Sequence, residues 1–367
     1  MQFGLTETQQ MLQKSAREFF PAECPMAEVR RLMETPTAHD PALWRKIATQ
    51  GWTGIIFPEQ YDGLGLGMVE LAALIEEMGR ALVPGPFLST LLAAAALDAA
   101  ASEALKRKYL APICRGDATA TLALLEATAR WDLDAVEMEA SGSALSGRKL
   151  FVPDAGAADF LLCAARSGGD LALFLVDSKA RGLTLTSEPA LDATRKLYQV
   201  AFDNVPGEII ASGDRAHHAL ERALHVATAA LVAEMAGGMQ RVLELSVAYA
   251  KARKQFGKPI GQFQAVQHHC ADMFLLTESS RSAAYYAAWA LQENAPEARL
   301  AVSIAKAYAS DAYREVGNRG IQIHGGMGFT WENDVHLYYR RAKASEIAFG
   351  DAAFHRERIA RLVVDRA

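Results

Sequence analysis

In "LTETQQMLQKSAREFF" the apolar residues Leu5, Met11, Leu12, Ala16 and Phe19 recur at helical spacing and share one stripe, with Thr6 where an N-cap belongs. The same texture continues to about Arg115, including a helix from about Met68 to Leu82 that follows the glycine-rich "YDGLGLG". From Asp117 to about Pro206 the apolar runs shorten. "ATLALLE", "DAVEMEA", "SALSGRKLFVP", "ADFLLCAA", "DLALFLVD" and "YQVAFDNVP" are each bounded by turn residues, the pattern of an antiparallel sheet. From about Asp214 long helical periods return, the first ending at Lys258-Pro259. Further helices are predicted from about Phe263 to Gln292 and from about Glu297 to Gly320, with two shorter ones after "IQIHGGMGFTWEN". The fold class is therefore α+β: an N-terminal helical domain over 1–116, a central antiparallel β domain over 117–208, and a C-terminal bundle of long helices over 209–367.

Composition narrows the function more than the fold. With 367 residues, 51% of them apolar, the chain can bury a large core. A net charge of -5 excludes a general grip on nucleic acid, which needs a clustered positive surface. Cys24, Cys114, Cys163 and Cys270 are far apart and form neither a disulfide framework nor a zinc motif. The adjacent His268, His269 and Cys270 would point in different directions on a helix, so no metal is expected. "MQFGLTETQQ" lacks the basic and apolar regions of a signal peptide, and no apolar stretch reaches the roughly 18 residues that span a bilayer. A cytoplasmic protein is expected. "GLGLG" has no strand before it and reads as a turn, not a dinucleotide fingerprint.

The densest chemistry lies in "KARKQFGKPIGQFQAVQ" and in "GGMG" at Gly325 to Gly328. Taken singly, Arg253 and Lys254 suit a helix C-terminus, and the glycines suit a tight turn. Taken together, R-x-x-F-G-x-x-I-x-x-F-Q from Arg253 to Gln264 and Q-I-x-G-G-x-G-F from Gln322 to Phe329 resemble the acyl-CoA dehydrogenase family. "LTETQQMLQKSAREF", "GWTGIIFPEQYDGLGLG", "FDNVP" and "YYRRAKASEI" extend the likeness almost end to end.

The resemblance implies an FAD-dependent enzyme that removes an α proton and a β hydride from an acyl-CoA thioester. Electrons would pass to an electron-transfer flavoprotein or similar acceptor, and the assembly would be a homo- or hetero-tetramer with a related subunit. It further implies that Arg253 pairs with the cofactor pyrophosphate, Phe256 packs on the adenine side, and Gln264, Gln322, Gly325 and Gly326 supply amide and backbone contacts. These residues would reach a flavin seated in the β domain of a neighbouring subunit.

Two departures stand against that likeness. The family's usual catalytic Glu falls at Phe349, and the alternative position on the preceding long helix falls at Ala227. Asp351, two residues past Phe349, and Glu234, on the helix face that carries Ala227, could substitute; each also has a structural reading, Asp351 as a helix N-cap and Glu234 as a helix carboxylate. The loop T-E-P-x-A-G-S-D is replaced by "LLEATARWDLD", which keeps Glu126 but loses the Gly-Ser-Asp loop and leaves the flavin-ring pocket of this chain in question. The expectation is one subunit of a heteromeric dehydrogenase whose partner supplies the base. The alternatives are a self-sufficient homo-oligomer using Asp351 or Glu234, a non-catalytic structural relative, or a flavoprotein of the same fold acting on a substrate without CoA.

Overall fold

The structure is a computed structural model that describes residues 4–364; the "MQF" that opens the chain lies outside them. The helices α1 (Glu7–Glu23), α2 (Met26–Met33), α3 (Pro41–Thr49), α4 (Met68–Arg80), α5 (Phe87–Ala100), α6 (Glu103–Leu105) and α7 (Ala111–Cys114) come first. The strands β1 (Ala120–Ala123), β2 (Ala140–Ser141), β3 (Ala144–Pro153), β4 (Phe160–Ser167), β5 (Asp170–Asp177), β6 (Leu183–Glu188), β7 (Leu197–Pro206) and β8 (Glu208–Ser212) follow. Then come α8 (Asp214–Ala252), the hairpin β9 (Lys254–Gln255) and β10 (Lys258–Pro259), α9 (Gln264–Gln292), α10 (Ala298–His324), α11 (Val335–Ile347) and α12 (Ala352–Val363). The helix–strand–helix order matches the expected α+β class.

The chain divides into two compact units, Met1–Val29 with Met68–Val83 and Thr228–Ala367, and Arg30–Gly67 with Pro84–Ala227. In the first unit, α1 is capped by Thr6, whose hydroxyl accepts from the Gln9 amide while the Gln9 side chain accepts from the Thr6 amide. Its buried line is Ala16 and Phe20, so Met11, expected on the inner stripe, stands 68% exposed. α4 and α8 cross at two glycines: a Cβ on Gly79 would fall on the carbonyl of Glu234, and one on Gly237 on the carbonyl of Glu76. That close approach brings carboxylates into the helix packing, and each meets a cation. Glu77 receives Arg17 at 2.6 Å, and Glu76 receives Arg281 at 2.8 Å and the Tyr285 hydroxyl at 2.9 Å.

In the second unit, β1-β4-β5-β8 and β2-β3-β7-β6 form two four-stranded sheets. Their shared core includes Leu145, Leu161, Phe174, Val176, Val200 and Phe202. The sheet is not purely antiparallel as expected: β1 pairs parallel with β4, Ala120 opposite Phe160 through Ala123 opposite Cys163. All four residues of β1 are buried although it is the first strand of its sheet, because α5 and β3 pack against it. "DAVEMEA" also departs from expectation. It forms a 3-10 turn at Leu133–Ala135 and joins a strand only at Ala140, because the Glu126 carboxylate takes the amides of Glu137 and Met138 at 3.0 and 3.1 Å. The helix predicted to end at Lys258-Pro259 stops at Ala252, and the chain turns through Phe256 and Gly257 at φ +52° and +77°, a hairpin turn of the primed type.

Candidate active site

The residues expected to hold the cofactor collect at one end of the first unit. α9 begins with Gln264 and α10 ends two residues beyond Gln322, and Arg319 ties these ends together through Asp272 at 2.5 Å and His269 at 3.2 Å. α8 joins them because Tyr249 stacks on His324 with ring centroids 4.4 Å apart. Burial lowers the His324 pKa, so its ring stacks as a neutral imidazole at ordinary pH. One turn beyond Tyr249 is Arg253, whose carbonyl accepts from the Ile260 amide at 2.8 Å and closes the hairpin.

What this end presents is largely unspent. Arg253, Gln264, Gln322, Gly325 and Gly326 are exposed, and Phe256 is 91% exposed. Arg253 forms no ion pair with the described residues, and a Cβ at Gly325 or Gly326 would meet nothing within 4 Å. A free guanidinium fork, two carboxamides, open glycine backbone and a bare aromatic ring fit the phosphate-bearing, aromatic half of a dinucleotide. These six residues could therefore hold the adenosine side of FAD. Phe329 and Trp331, 70% and 59% exposed, extend the aromatic surface.

In the second unit, the altered loop after β1 is folded onto itself. Buried Lys149 donates to the Glu126 carboxylate at 2.5 Å and to the Leu124 carbonyl at 3.2 Å. Burial would raise the Glu126 pKa, but Lys149 and the two amides overcome it and hold the carboxyl below its usual range. Arg166 closes the other side, donating to the carbonyls of Val136 at 2.9 Å and Asp134 at 3.2 Å. Glu126, the acid kept from the expected loop, is thus a structural bracket. Lys149 and Arg166 were not singled out from the sequence; their signal is a cation inside a strand, which becomes legible only once a partner carboxylate is known.

The candidate bases are engaged as well. Asp351 caps α12, accepting from the Phe354 amide at 2.8 Å. Glu234 is buried on α8 and ion-paired to Arg341 of α11, which is 2% exposed. Ala227 is fully buried. Phe349 is 7% exposed in a turn where it and Gly350 adopt φ of +59° and +98°. Around that turn the sequence reading missed two buried groups, Lys306 of α10 and His355 of α12. Lys306 stands among alanines in "SIAKAYAS", and a single lysine on a helix's apolar face is the only trace it leaves. Among the described residues there is no cluster able to hold a metal ion and no helix long and apolar enough to cross a membrane.

Comparison with known proteins identifies the family. Residues 6–117 match the acyl-CoA dehydrogenase N-terminal domain and residues 217–364 the C-terminal domain. Acyl-CoA dehydrogenase IpdE2 of Mycolicibacterium smegmatis is 30% identical over 367 residues, covering 98% of both chains. Among solved structures, a Tcur3481-Tcur3483 steroid ACAD variant superposes with a TM-score of 0.89 at 31% identity, covering 98% of each chain. The ChsE4-ChsE5 complex from Mycobacterium tuberculosis does so at 0.91 and 27%, covering 100% of this chain and 99% of the other. These matches and the fold together define an FAD-dependent flavoprotein oxidoreductase. The chain belongs to the acyl-CoA dehydrogenase family.

Proposed function

We propose that this chain is one subunit of a heteromeric acyl-CoA dehydrogenase, in which it holds the adenosine half of FAD and a related subunit contributes the flavin-ring pocket and the general base. The observation that carries the reading is an asymmetry. The donors at the cofactor end are open, whereas both carboxylates near the familiar base positions are committed to structure, Asp351 to a helix cap and Glu234 to Arg341. Bound FAD supplies the hydride acceptor. Arg253 would neutralise the pyrophosphate, Phe256 would pack against adenine, and Gln264 and Gln322 would orient the adenosine and ribityl side. The bare Phe256, Phe329 and Trp331 would be covered by the partner in a tetramer. The relatives named for a steroid enzyme favour a bulky, steroid-type acyl-CoA as substrate, with an electron-transfer flavoprotein or similar acceptor.

The test is the FAD content of the chain purified alone and co-purified with a related neighbour-encoded subunit. Little FAD alone and FAD in the complex supports the reading; one FAD per chain when alone refutes it. The second reading is a self-sufficient homo-oligomer with Asp351 or Glu234 as base. Asp351→Asn and Glu234→Gln separate the two, since losing a general base costs about 10²–10⁴-fold in flavin reduction by acyl-CoA with FAD retained.

A further inference from the structure

The connection from α11 to α12 is held in an unusual way. Lys306 has no exposed surface, and its Nζ donates to Ser310 Oγ at 2.9 Å, the Glu346 carbonyl at 3.0 Å and the Gly350 carbonyl at 2.8 Å. An ammonium has three protons, and all three are spent. From the other side, His355 Nε2 lies 3.0 Å from the Phe349 carbonyl oxygen. A carbonyl only accepts, so Nε2 carries the proton and Nδ1 is left as a buried lone pair with no hydrogen-bond partner. Two buried side chains on two helices therefore grip the carbonyls of residues 346, 349 and 350.

The gripped turn is strained. Phe349 is left-handed, a conformation disfavoured for a residue with a Cβ, and a connector with no other requirement would place Gly or Asn there. Gly350 is confined in its turn, since a Cβ there would fall on the Phe354 ring. Burying an ammonium adds a further cost that only full hydrogen bonding offsets.

We propose that Lys306 and His355 are positioning residues: they preset the backbone of the turn from residue 346 to 351, so that position 349 is presented in one conformation whatever side chain it carries. The contrary explanation is that the packing of the Phe349 ring fixes the turn and the two polar groups merely fill space beneath it. The inference holds wherever the catalytic base lies, since it concerns only this chain's backbone.

Amide hydrogen exchange over residues 348–352 of the full chain, read by mass spectrometry, decides between them. Lys306→Met and His355→Phe are expected to raise exchange at least about tenfold, His355→Gln, which keeps a donor, to restore it close to wild type, and Phe349→Leu and Phe349→Glu to leave it unchanged. Thermal melts and exchange in α5, which lies in the other compact unit, identify any variant that has simply lost its fold. Should Lys306→Met fail in that way, the His355→Phe and His355→Gln pair carries the test alone. Release of the turn by Phe349→Glu, or no release by His355→Phe, overturns the proposal.

Discussion

His355 should make this protein acid-labile by a calculable amount. The ring is 1% exposed, donates Nε2–H to the Phe349 carbonyl and leaves Nδ1 buried without an acceptor. Protonation would place a second N–H where nothing receives it, beside the Lys306 ammonium. Burial accordingly pushes the His355 pKa from 6.5 down to about 4, with Lys306 and Arg358 adding to the fall while the Phe349 carbonyl and Asp351 oppose it. The folded pKa lies below the unfolded one, so the unfolded chain binds more protons between the two values, and stability is lost as pH falls from 6.5 to 4. At about 1.4 kcal/mol per pH unit the loss is about 3 kcal/mol. His355→Gln keeps a donor but does not titrate. Urea unfolding of both proteins at matched concentration, from pH 7.5 to 4.5, should therefore show the wild type losing about 2–3 kcal/mol more than the variant. Groups that do not interact with His355 contribute alike in both proteins and drop out of the difference. A stability gap that stays constant across this range would refute the reasoning.

Other perturbations have equally definite outcomes. Gly237→Ala should lower stability by several kcal/mol, on the order of 3, because its Cβ has no room against the Glu76 carbonyl; a thermal shift under about 2 °C would contradict the close crossing of α4 and α8. Arg341→Met removes the guanidinium that the buried Glu234 carboxylate meets and should cost about 3–5 kcal/mol, most of which Glu234→Leu in the same chain should restore, measured by urea midpoint. In the complex with a related subunit, Arg253→Met should weaken FAD retention about 10–100-fold, as read by ultrafiltration and flavin fluorescence, without changing the melting temperature of this chain alone.

Much of the architecture was legible because it rests on local signals. Thr6 and Asp351 announce helix starts through short oxygen-bearing side chains, and both cap as their positions indicate. The long helices α8 to α10 are legible from periodicity sustained over many turns. What failed was non-local. β1 looks like any short apolar run, and only its partner β4 makes the pairing parallel. "DAVEMEA" alternates like a strand, yet Glu126, eleven residues before Glu137, removes the amides that a ladder would need. Arg253, Phe256, Gln264 and Gln322 could be singled out through spacing, and all four stand exposed. Lys306, His355, Lys149 and Arg341 act on the chain itself, from buried positions whose partners lie up to 107 residues away.

The fate of the carboxylates carries the functional argument further than their number. With half its residues apolar, this chain puts Glu76, Glu77 and Glu234 inside, and each survives there by meeting a guanidinium. A general base has the opposite requirement: an oxygen aimed at substrate and free to take a proton. Glu234 and Asp351 each direct an oxygen into the protein's own framework, to Arg341 and to the α12 amide. The groups left facing outward at the cofactor end are donors and rings, suited to receive an anionic, aromatic cofactor and unsuited to remove a proton. On the proposed reading, a chain that offers donors there and commits these two carboxylates to its own framework supplies half of a redox site, and the complementary half, a carboxylate with a free oxygen, is what a partner subunit would bring.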